Sequence, residues 1–253
     1  MKEVDSIDIL FLGNSQAYRG FDTRAFEKLG IRSFNLGTSG QTFLQTKLIL
    51  KRYLEKIRPK QIVFQVSPYM FGSLGAESSI DIFSNDINDL HSVEMALSIN
   101  NIQVYNTLVY SKFKDVIGDK HAFIEEKEKG NDLYIKGGYV ERYKMTSYTF
   151  KDLDTVFEIN KKQIKAFKEV VHMINDKGID LVFVKAPISK DLIINKNILI
   201  EFESLIKSEG EYYDFNLLLS LNNDYFYDSN HLNINGVDVY GASLIEVLNI
   251  GEK

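Results

Sequence analysis

Short apolar runs alternate with amphipathic stretches along most of this chain. The runs at residues 7–12, 31–37 and 61–67 have the length of buried strands, and a glycine or a proline ends each of them. Between them, residues 22–29 and 42–57 place apolar side chains at helical spacing. Because strand–helix–strand units favour parallel pairing through right-handed crossovers, this part of the chain predicts a parallel sheet.

The same alternation returns in the second half of the chain. It predicts two further strands at 179–187 and 212–215, and three helices at 156–177, 199–207 and 237–248. The second half therefore extends the sheet that the first half begins.

Residues from about 70 to 150 break this alternation. The stretch is rich in tyrosine and in mixed charge, and its segment "KGGYVERYKM" is typical of a hairpin. Its aromatic residues are too frequent for a disordered segment. We therefore predict one α/β domain over 1–253 with three α/β/α layers and a mostly parallel five-stranded sheet in the flavodoxin-like order 2-1-3-4-5. The helical and aromatic insertion at about 70–150 is expected over the catalytic edge of that sheet.

Charge and composition narrow the functions that this chain can have. Acidic residues outnumber basic ones by 35 to 30, and the net charge of −5 argues against sequence-independent binding of nucleic acid. The absence of cysteine excludes disulfides, thiolate metal sites and cysteine nucleophiles. No apolar run has the length of a membrane span, and the N-terminal segment lacks the apolar core of a signal peptide. We expect a chain that is soluble as given, either cytoplasmic or the extracytoplasmic part of a membrane-anchored bacterial protein.

Polar residues that could carry chemistry follow the predicted strands. Ser15 in "GNS" follows the first strand, "GTSG" at 37–40 follows the second, and "SPY" at 67–69 follows the third. Ligands of open parallel sheets bind beyond these carboxyl ends. Near the C-terminus, "YDSNHLNINGVDVYG" places Asp228 three residues before His231, so that the carboxylate can orient the imidazole. Together these residues supply a nucleophile, a base and an orienting group.

Each of these features also has a purely structural explanation. "GNS" is a common turn, in which Asn14 would only hold the loop, and the "GTSG" loop could cradle a phosphate. No Gly-x-Gly-x-x-Gly or Walker pattern supports phosphate binding. Arg19 could bind an anionic or acyl group, or it could form a surface ion pair. An early Ser15 and a late Asp228–His231 pair around a strand–helix frame favour catalysis.

Aromatic and histidine residues outside these motifs are weaker candidates. Tyr69, Tyr139 and Tyr143 could stack on sugar rings, or they could pack in the core. The other histidines have no carboxylate at metal-ligand spacing; they are His91, His121 and His172. We therefore expect neither a metal nor a cofactor.

The sequence resembles the SGNH (GDSL-like) hydrolase superfamily, in its cell-surface carbohydrate esterase and O-acyltransferase branches. "GNS" corresponds to the family's Gly-Asp-Ser block, so the resemblance implies that Ser15 is the nucleophile. "DSNHLN" matches the late Asp-x-x-His block, which implies that His231 is the base and Asp228 its support. "NLGTSG" matches the second block, whose glycine amide helps to hold the oxyanion. We expect Gly37 in that role, with Gly40 as the alternative.

The third family block, Gly-x-Asn-Asp, is where this sequence departs from the pattern. That block supplies an asparagine amide to the oxyanion hole, whereas the equivalent stretch here reads "QVSP". Losing one such donor typically costs about 10²–10³ in turnover. We expect Ser67 or a backbone amide to replace the asparagine, beside the backbone amide of Ser15.

The resemblance implies an esterase or O-acyltransferase that forms an acyl-enzyme. The expected acyl group is acetyl, and the expected substrate is a carbohydrate or cell-surface glycan ester bound with help from Arg19, Tyr69 and Tyr139. A membrane acyl-transfer protein is an expected partner. The alternative is a catalytically impaired module of the same fold that binds glycan or serves as a subunit of an acyl-transfer assembly.

Overall fold

A computed structural model describes residues 6–118, 127–142, 157–192 and 194–250 of the chain. The strands of the described residues, in chain order, are β1 (Ile9–Leu12), β2 (Ser33–Asn35), β3 (Gln61–Gln65), β4 (Glu128–Lys129), β5 (Asp132–Ile135), β6 (Tyr139–Arg142), β7 (Asp180–Lys185) and β8 (Glu211–Asp214).

The helices of the described residues surround these strands. In chain order they are α1 (Ser15–Gly20), α2 (Thr23–Glu27), α3 (Phe43–Ile57), α4 (Tyr69–Gly72), α5 (Ala76–Asn85), α6 (Leu90–Ile99), α7 (Ile102–Ile117), α8 (Lys161–Asn175), α9 (Lys196–Lys207), α10 (Phe215–Leu219) and α11 (Ile234–Val247). A 3₁₀ turn covers Asn223–Tyr225.

Within the described residues, the main sheet has five parallel strands in the order β2-β1-β3-β7-β8. This is the predicted 2-1-3-4-5 order, and β1 pairs on both sides rather than lying at an edge. The prediction of a flavodoxin-like parallel sheet is therefore confirmed. The strands are shorter than predicted because the flanking glycine and proline residues belong to the connecting turns.

Alternate side chains of β1 enter two separate cores. Leu10 and Leu12 lie in a cluster with buried side chains of α3, α8 and α9. Ile9 and Phe11 lie in a second cluster with buried side chains of α1, α2, α10 and α11. Helices thus cover both faces of the sheet, which confirms the three-layer α/β/α arrangement.

The predicted helix at 156–177 is α8, and it begins later than predicted. The side chain of Asn160 caps it by accepting a hydrogen bond from the Lys162 amide, so the first turn starts at Lys161. Residue 156 lies outside the described residues.

The stretch predicted as an insertion contains both helices and a small sheet. Helices α5, α6 and α7 share a core with Leu48 and Ile49 on the outer side of α3. Strands β4, β5 and β6 form an antiparallel sheet, so the predicted hairpin is present. A Cβ at Gly138 would collide with the backbone oxygen of Asn35, so glycine lets the hairpin turn lie against the end of β2.

None of the helices in the described ranges combines the length and the apolar content that crossing a bilayer requires.

Candidate active site

A tight turn places Ser15 at the carboxyl end of β1. Gly13 has a φ of +143°, and a Cβ there would lie 2.5 Å from Gln65 Oε1, so this turn requires glycine. Asn14 caps α1, because its side-chain oxygen accepts a hydrogen bond from the Gln16 amide at 2.9 Å. Ser15 is the first residue of α1 and is half-buried. The strand therefore delivers a hydroxyl to the ligand-binding edge of the sheet.

Asp228 and His231 lie at the tip of a small hairpin that precedes α11. A single antiparallel bridge joins Phe226 to Leu232, and both side chains are buried. Inside that bridge, the Tyr227 amide donates to the His231 carbonyl at 2.8 Å. Two buried apolar side chains thus fix the base of the turn and leave the polar residues at its tip.

The two motifs meet in space although 216 residues separate them. His231 Nε2 lies 2.8 Å from Ser15 Oγ, and His231 Nδ1 lies 2.9 Å from both carboxylate oxygens of Asp228. Asp228 Oδ1 also accepts hydrogen bonds from the backbone amides of Asn230 and His231. Burial alone would raise the pKa of Asp228, but the hydrogen bonds and the charge interaction with His231, together with these amides, outweigh it and lower that pKa. Asp228 therefore presents an ionised carboxylate to the imidazole at neutral pH.

Comparison with known proteins identifies the architecture. No family model matches this chain, and no curated protein matches its sequence. A solved structure from Streptococcus pneumoniae, provisionally named a platelet activating factor, is 13% identical with a TM-score of 0.50, over 98% of this chain and 86% of that one. A psychrotrophic esterase from Pseudoalteromonas sp. is 11% identical with a TM-score of 0.48, over 96% of both chains. A GDSL-like lipase from Bacteroides thetaiotaomicron is 11% identical with a TM-score of 0.44, over 96% of this chain and 87% of that one. The chain shares the three-layer α/β/α fold of the Streptococcus pneumoniae structure, which is the architecture that the resemblance to SGNH hydrolases implies.

The SGNH pattern assigns an oxyanion donor to the second block, and the amides of the two glycines there differ in their hydrogen bonding. The Gly37 amide already donates to Asn35 Oδ1 at 2.9 Å, so it is not a free donor. Within the described residues, neither the Gly40 amide nor the Ser15 amide has a hydrogen-bond partner. Gly40, rather than Gly37, is the second-block glycine whose amide is available.

Ser67 is the residue that we expected to replace the third-block asparagine. Its Oγ accepts a hydrogen bond from Asn14 Nδ2 at 3.3 Å, and Asn14 directly precedes Ser15. This bond uses a lone pair of the Ser67 hydroxyl and leaves its proton free to donate. Ser67 can therefore offer an O–H group to a molecule bound beside Ser15.

Two of the weak substrate-binding candidates make contacts within the chain. The guanidinium group of Arg19 donates to both carboxylate oxygens of Asp132, at 3.1 and 2.8 Å. Arg19 therefore forms an ion pair, which was the alternative to binding an anionic or acyl group. This pair is mostly buried rather than at the surface. Tyr139 is only 1% exposed and packs in the core, so its stacking role is wrong. Tyr69 remains 55% exposed just after Ser67. Tyr143 lies outside the described residues.

The two described histidines away from the site, His91 and His172, have solvent-accessible side chains. His91 and His172 each contact a carboxylate on or just beyond their own helix, Glu94 at 3.3 Å and Asp176 at 3.2 Å, which the sequence analysis overlooked. In the part of the chain that the structure describes, no group of three or more His, Cys, Asp or Glu side chains could hold a metal ion. His121 lies outside that part.

A chain of buried amides beneath the site escaped the sequence analysis. Gln65 Oε1 accepts from the Asn14 amide at 3.0 Å, and Gln65 Nε2 donates to Gln16 Oε1 at 2.9 Å. Gln16 Nε2 in turn donates to the Asn230 carbonyl at 3.1 Å. A signal was present, because Gln65 is a polar residue that ends an apolar strand at the edge where such sheets bind ligands.

Proposed function

We propose that this protein is a serine-dependent esterase or O-acyltransferase that forms an acyl-enzyme on Ser15. The observation that carries the proposal is the hydrogen-bonded series from Ser15 Oγ through His231 to Asp228, with separations of 2.8 and 2.9 Å. These are the distances at which a nucleophile, a base and an orienting carboxylate act together. The SGNH-hydrolase fold supports it, because the three groups lie at the edge where parallel sheets bind ligands.

In the first step, Ser15 Oγ attacks the carbonyl carbon of the ester while His231 Nε2 takes the hydroxyl proton. Asp228 accepts the Nδ1–H bond, which keeps Nε2 free as the acceptor and stabilises the imidazolium that forms. The tetrahedral intermediate then expels the alkoxide of the substrate, and His231 returns the proton to that oxygen. The products of this step are a free alcohol and an acyl ester of Ser15.

Three donors would meet the charge that develops on the carbonyl oxygen. They are the backbone amides of Ser15 and Gly40 and the hydroxyl of Ser67, which Asn14 orients. This set retains a side-chain donor although the third-block asparagine is absent. Because each donor of an oxyanion hole contributes about 10²–10³ in turnover, the Ser67 hydroxyl makes the difference between an active and a nearly inactive site.

In the second step, water or a sugar hydroxyl attacks the acyl-enzyme, His231 takes its proton, and Ser15 leaves as the free hydroxyl. Water gives an esterase, and a sugar hydroxyl gives an O-acyltransferase, for which a membrane acyl-transfer partner would supply the acyl group. We place an acetyl ester of a carbohydrate in the site because the motifs resemble those of carbohydrate esterases. Tyr69 supports this substrate class, since its exposed ring offers an aromatic surface two residues after Ser67.

The proposal is tested by the release of acetate from p-nitrophenyl acetate, measured with and without oligosaccharide acceptors. We expect turnover by the wild type, and loss of at least 10³-fold in Ser15→Ala with an unchanged melting temperature. Ser208→Ala is the matched control, because Ser208 is an exposed serine at the end of α9. Acetylated sugar among the products indicates transfer, and acetate alone indicates hydrolysis. Saturable glycan binding without any turnover would favour the impaired binding module instead.

A further inference from the structure

Helices α6 and α7 carry apolar side chains on the side that faces away from the protein. Ten of the sixteen large hydrophobic residues that are exposed in the described part of the chain lie between residues 87 and 117. The most exposed of them, Val116, keeps 79% of its surface accessible. Isolated exposed hydrophobic residues are ordinary, but nine of these ten lie on two consecutive helices, which is not ordinary.

The spacing of these residues shows that each helix has a second apolar face. On α7, Ile102, Val109 and Phe113 are seven and four residues apart, which aligns them along one side of the helix. The buried residues of the same helix, Val104 and Ser111, fall on the opposite side.

Helix α6 repeats this arrangement. Leu90, Val93 and Leu97 are exposed along one side, whereas Met95 and Ile99 enter the core shared with α3. We call the exposed apolar faces of α6 and α7 the outer stripe.

The outer stripe is large enough for a stable protein interface. Nine side chains that each expose roughly 100 Å² present on the order of 900 Å², whereas the largest apolar patch of a typical monomer is about 300–600 Å². A standard interface buries about 800 Å² on each partner. Closing the outer stripe against a similar surface would therefore satisfy the area that a specific complex needs.

The charges on these helices favour a protein surface over a lipid surface. Lys112 donates to the Asn88 carbonyl at 2.8 Å, and Glu94 pairs with Lys51 at 3.4 Å, so these charges have partners within the chain. An apolar interface at the outer stripe would not have to bury them unpaired. A net charge of −5 also opposes attraction to anionic lipid head groups.

We propose that a second copy of this chain covers the outer stripe, so that α6 and α7 of two copies form a symmetric dimer interface. A two-fold contact brings the same apolar face from both sides, and this self-complementarity suits a surface with few charges. The active-site residues contribute nothing to this proposal, which stands whether or not the protein is an esterase.

Light scattering after size-exclusion chromatography at micromolar concentrations tests this interface. The wild type should have twice the mass of one chain, and the double variant Val109→Asp with Phe113→Asp should have the mass of one chain. Leu217→Asp with Leu218→Asp is the matched control, because both leucines are exposed on α10, and this variant should remain dimeric. The neutral variant Val109→Gln with Phe113→Gln repeats the test if the aspartates prevent folding.

A wild type that stays monomeric up to about 100 µM would overturn the proposal, since standard interfaces give far tighter association. Vesicles of equal phosphatidylcholine and phosphatidylglycerol provide the competing test. Sedimentation of a monomeric wild type with these vesicles, lost in the aspartate variant, would assign the outer stripe to lipid and also overturn the dimer.

The amide chain beneath the active site carries a second, independent inference, which rests on the proposed function. The side chains of Gln16 and Gln65 each donate one hydrogen bond and accept another. The series joins the backbone of Asn14, next to the nucleophile, to the carbonyl of Asn230, next to His231. Within the described residues, these two side chains therefore link the backbone beside Ser15 to the backbone beside His231.

We infer that Gln16 and Gln65 are positioning residues that set the distance between Ser15 and His231. The Asp228–His231 contact is made within one turn and does not depend on them. The Ser15–His231 contact joins two separate loops, and the buried amides hold those loops together. Their loss should therefore loosen the nucleophile–base contact and leave the base–carboxylate contact intact, and a misplacement near 1 Å can cost about 10²-fold in rate.

Gln16→Met tests this inference, because methionine keeps the volume of the side chain and removes both hydrogen bonds. We expect kcat and the rate of fluorophosphonate labelling to fall together by about 10–100-fold, with KM unchanged. The midpoint of the acid limb of the pH–rate profile should not move. Gln163→Met is the matched control, since Gln163 is a buried glutamine that bonds Ser73 and Thr42 instead.

The outcomes separate this inference from the proposed function. A wild type that neither turns over esters nor reacts with the probe would contradict the function. An active wild type with an equally active Gln16→Met variant would overturn the positioning role alone. Loss of activity in Gln163→Met as large as in Gln16→Met would reduce the effect to general stability and would also overturn it.

Discussion

The substitution Asp228→Asn would keep the shape of the side chain and reverse the direction of one hydrogen bond to His231. Asp228 Oδ1 accepts from two backbone amides at 2.8 and 2.9 Å, so the single oxygen of asparagine should stay there. Its NH₂ group would then take the place of Oδ2, 2.9 Å from His231 Nδ1. Nδ1 lies 2.9 Å from both positions, so the donating NH₂ group would compete with the remaining oxygen and favour an unprotonated Nδ1, with the ring proton on Nε2. His231 would then donate toward Ser15 and could not take its proton.

The size of this effect follows from the loss of the base. The equivalent change in serine proteases of the Ser-His-Asp type lowers kcat by about 10⁴ while leaving the geometry intact. A factor of 10⁴ corresponds to about 5.5 kcal/mol of activation free energy. We expect the same loss in Asp228→Asn, with KM little changed, because the carboxylate does not contact the substrate.

Steady-state hydrolysis of p-nitrophenyl acetate from pH 5 to 9 measures this loss. Asp224→Asn serves as the control, since Asp224 is an exposed aspartate in the same loop, and it should keep wild-type activity. An Asp228→Asn variant that stays within tenfold of the wild type would refute the tautomer reasoning. Similar melting temperatures of Asp228→Asn and Asp224→Asn would show that the loss of activity is not caused by unfolding.

Three further predictions concern the surroundings of this site. Ser67→Ala should lower kcat by about 10²–10³ at an unchanged melting temperature, and Ser67→Thr, which keeps the hydroxyl, should stay near the wild type; equal rates in all three would contradict the donor role. Tyr69→Ala should raise KM for an acetylated oligosaccharide but not for p-nitrophenyl acetate, and a parallel rise for both would count against stacking. Asp132→Asn should lower the melting temperature at pH 7, because the carboxylate holds Arg19 and Arg142. Burial would raise the pKa of Asp132, but the two guanidinium groups lower it below 3.8, so this stabilisation is present above pH 3.8 and is lost as the pH falls further. The difference in melting temperature between the wild type and Asp132→Asn should therefore become smaller below pH 3.8. A difference that stays constant down to pH 2 would contradict this prediction.

The frame of the fold could be predicted because its signals are local. The first four strands of the parallel sheet lie in apolar runs that end at a glycine or a proline, and the crossover helices have apolar stripes and caps, such as Asp22 before α2. Parallel order then brings the carboxyl ends of the strands to one edge. That is why Ser15 and the Asp228–His231 turn could be assigned to a common site despite their separation in the sequence.

The expectations for Arg19 and Tyr139 failed because they depend on contacts with residues that are distant in the sequence. Arg19 and its partner Asp132 are 113 residues apart, and nothing near Arg19 indicates that a hairpin from the insertion will neutralise it. Tyr139 belongs to the same hairpin and is buried by its docking, as the exposure of an aromatic residue depends on tertiary packing.

The choice between the two glycines was different, because a local signal did exist. Asn35 is two residues before Gly37, the spacing at which an asparagine side chain accepts a hydrogen bond from the backbone. That turn is a local signal that the Gly37 amide has a partner of its own.

Reaction with a fluorophosphonate probe tests most directly whether Ser15 is an activated nucleophile, since labelling needs no knowledge of the natural substrate. Peptide mapping of the labelled protein should place the phosphonate on Ser15, and His231→Ala should abolish labelling because the hydroxyl then has no base. His172→Ala is the matched control, as His172 is an exposed histidine on α8, and it should be labelled like the wild type. Folded wild-type protein that stays unlabelled, or that is labelled equally in His231→Ala, would contradict the catalytic role of this site.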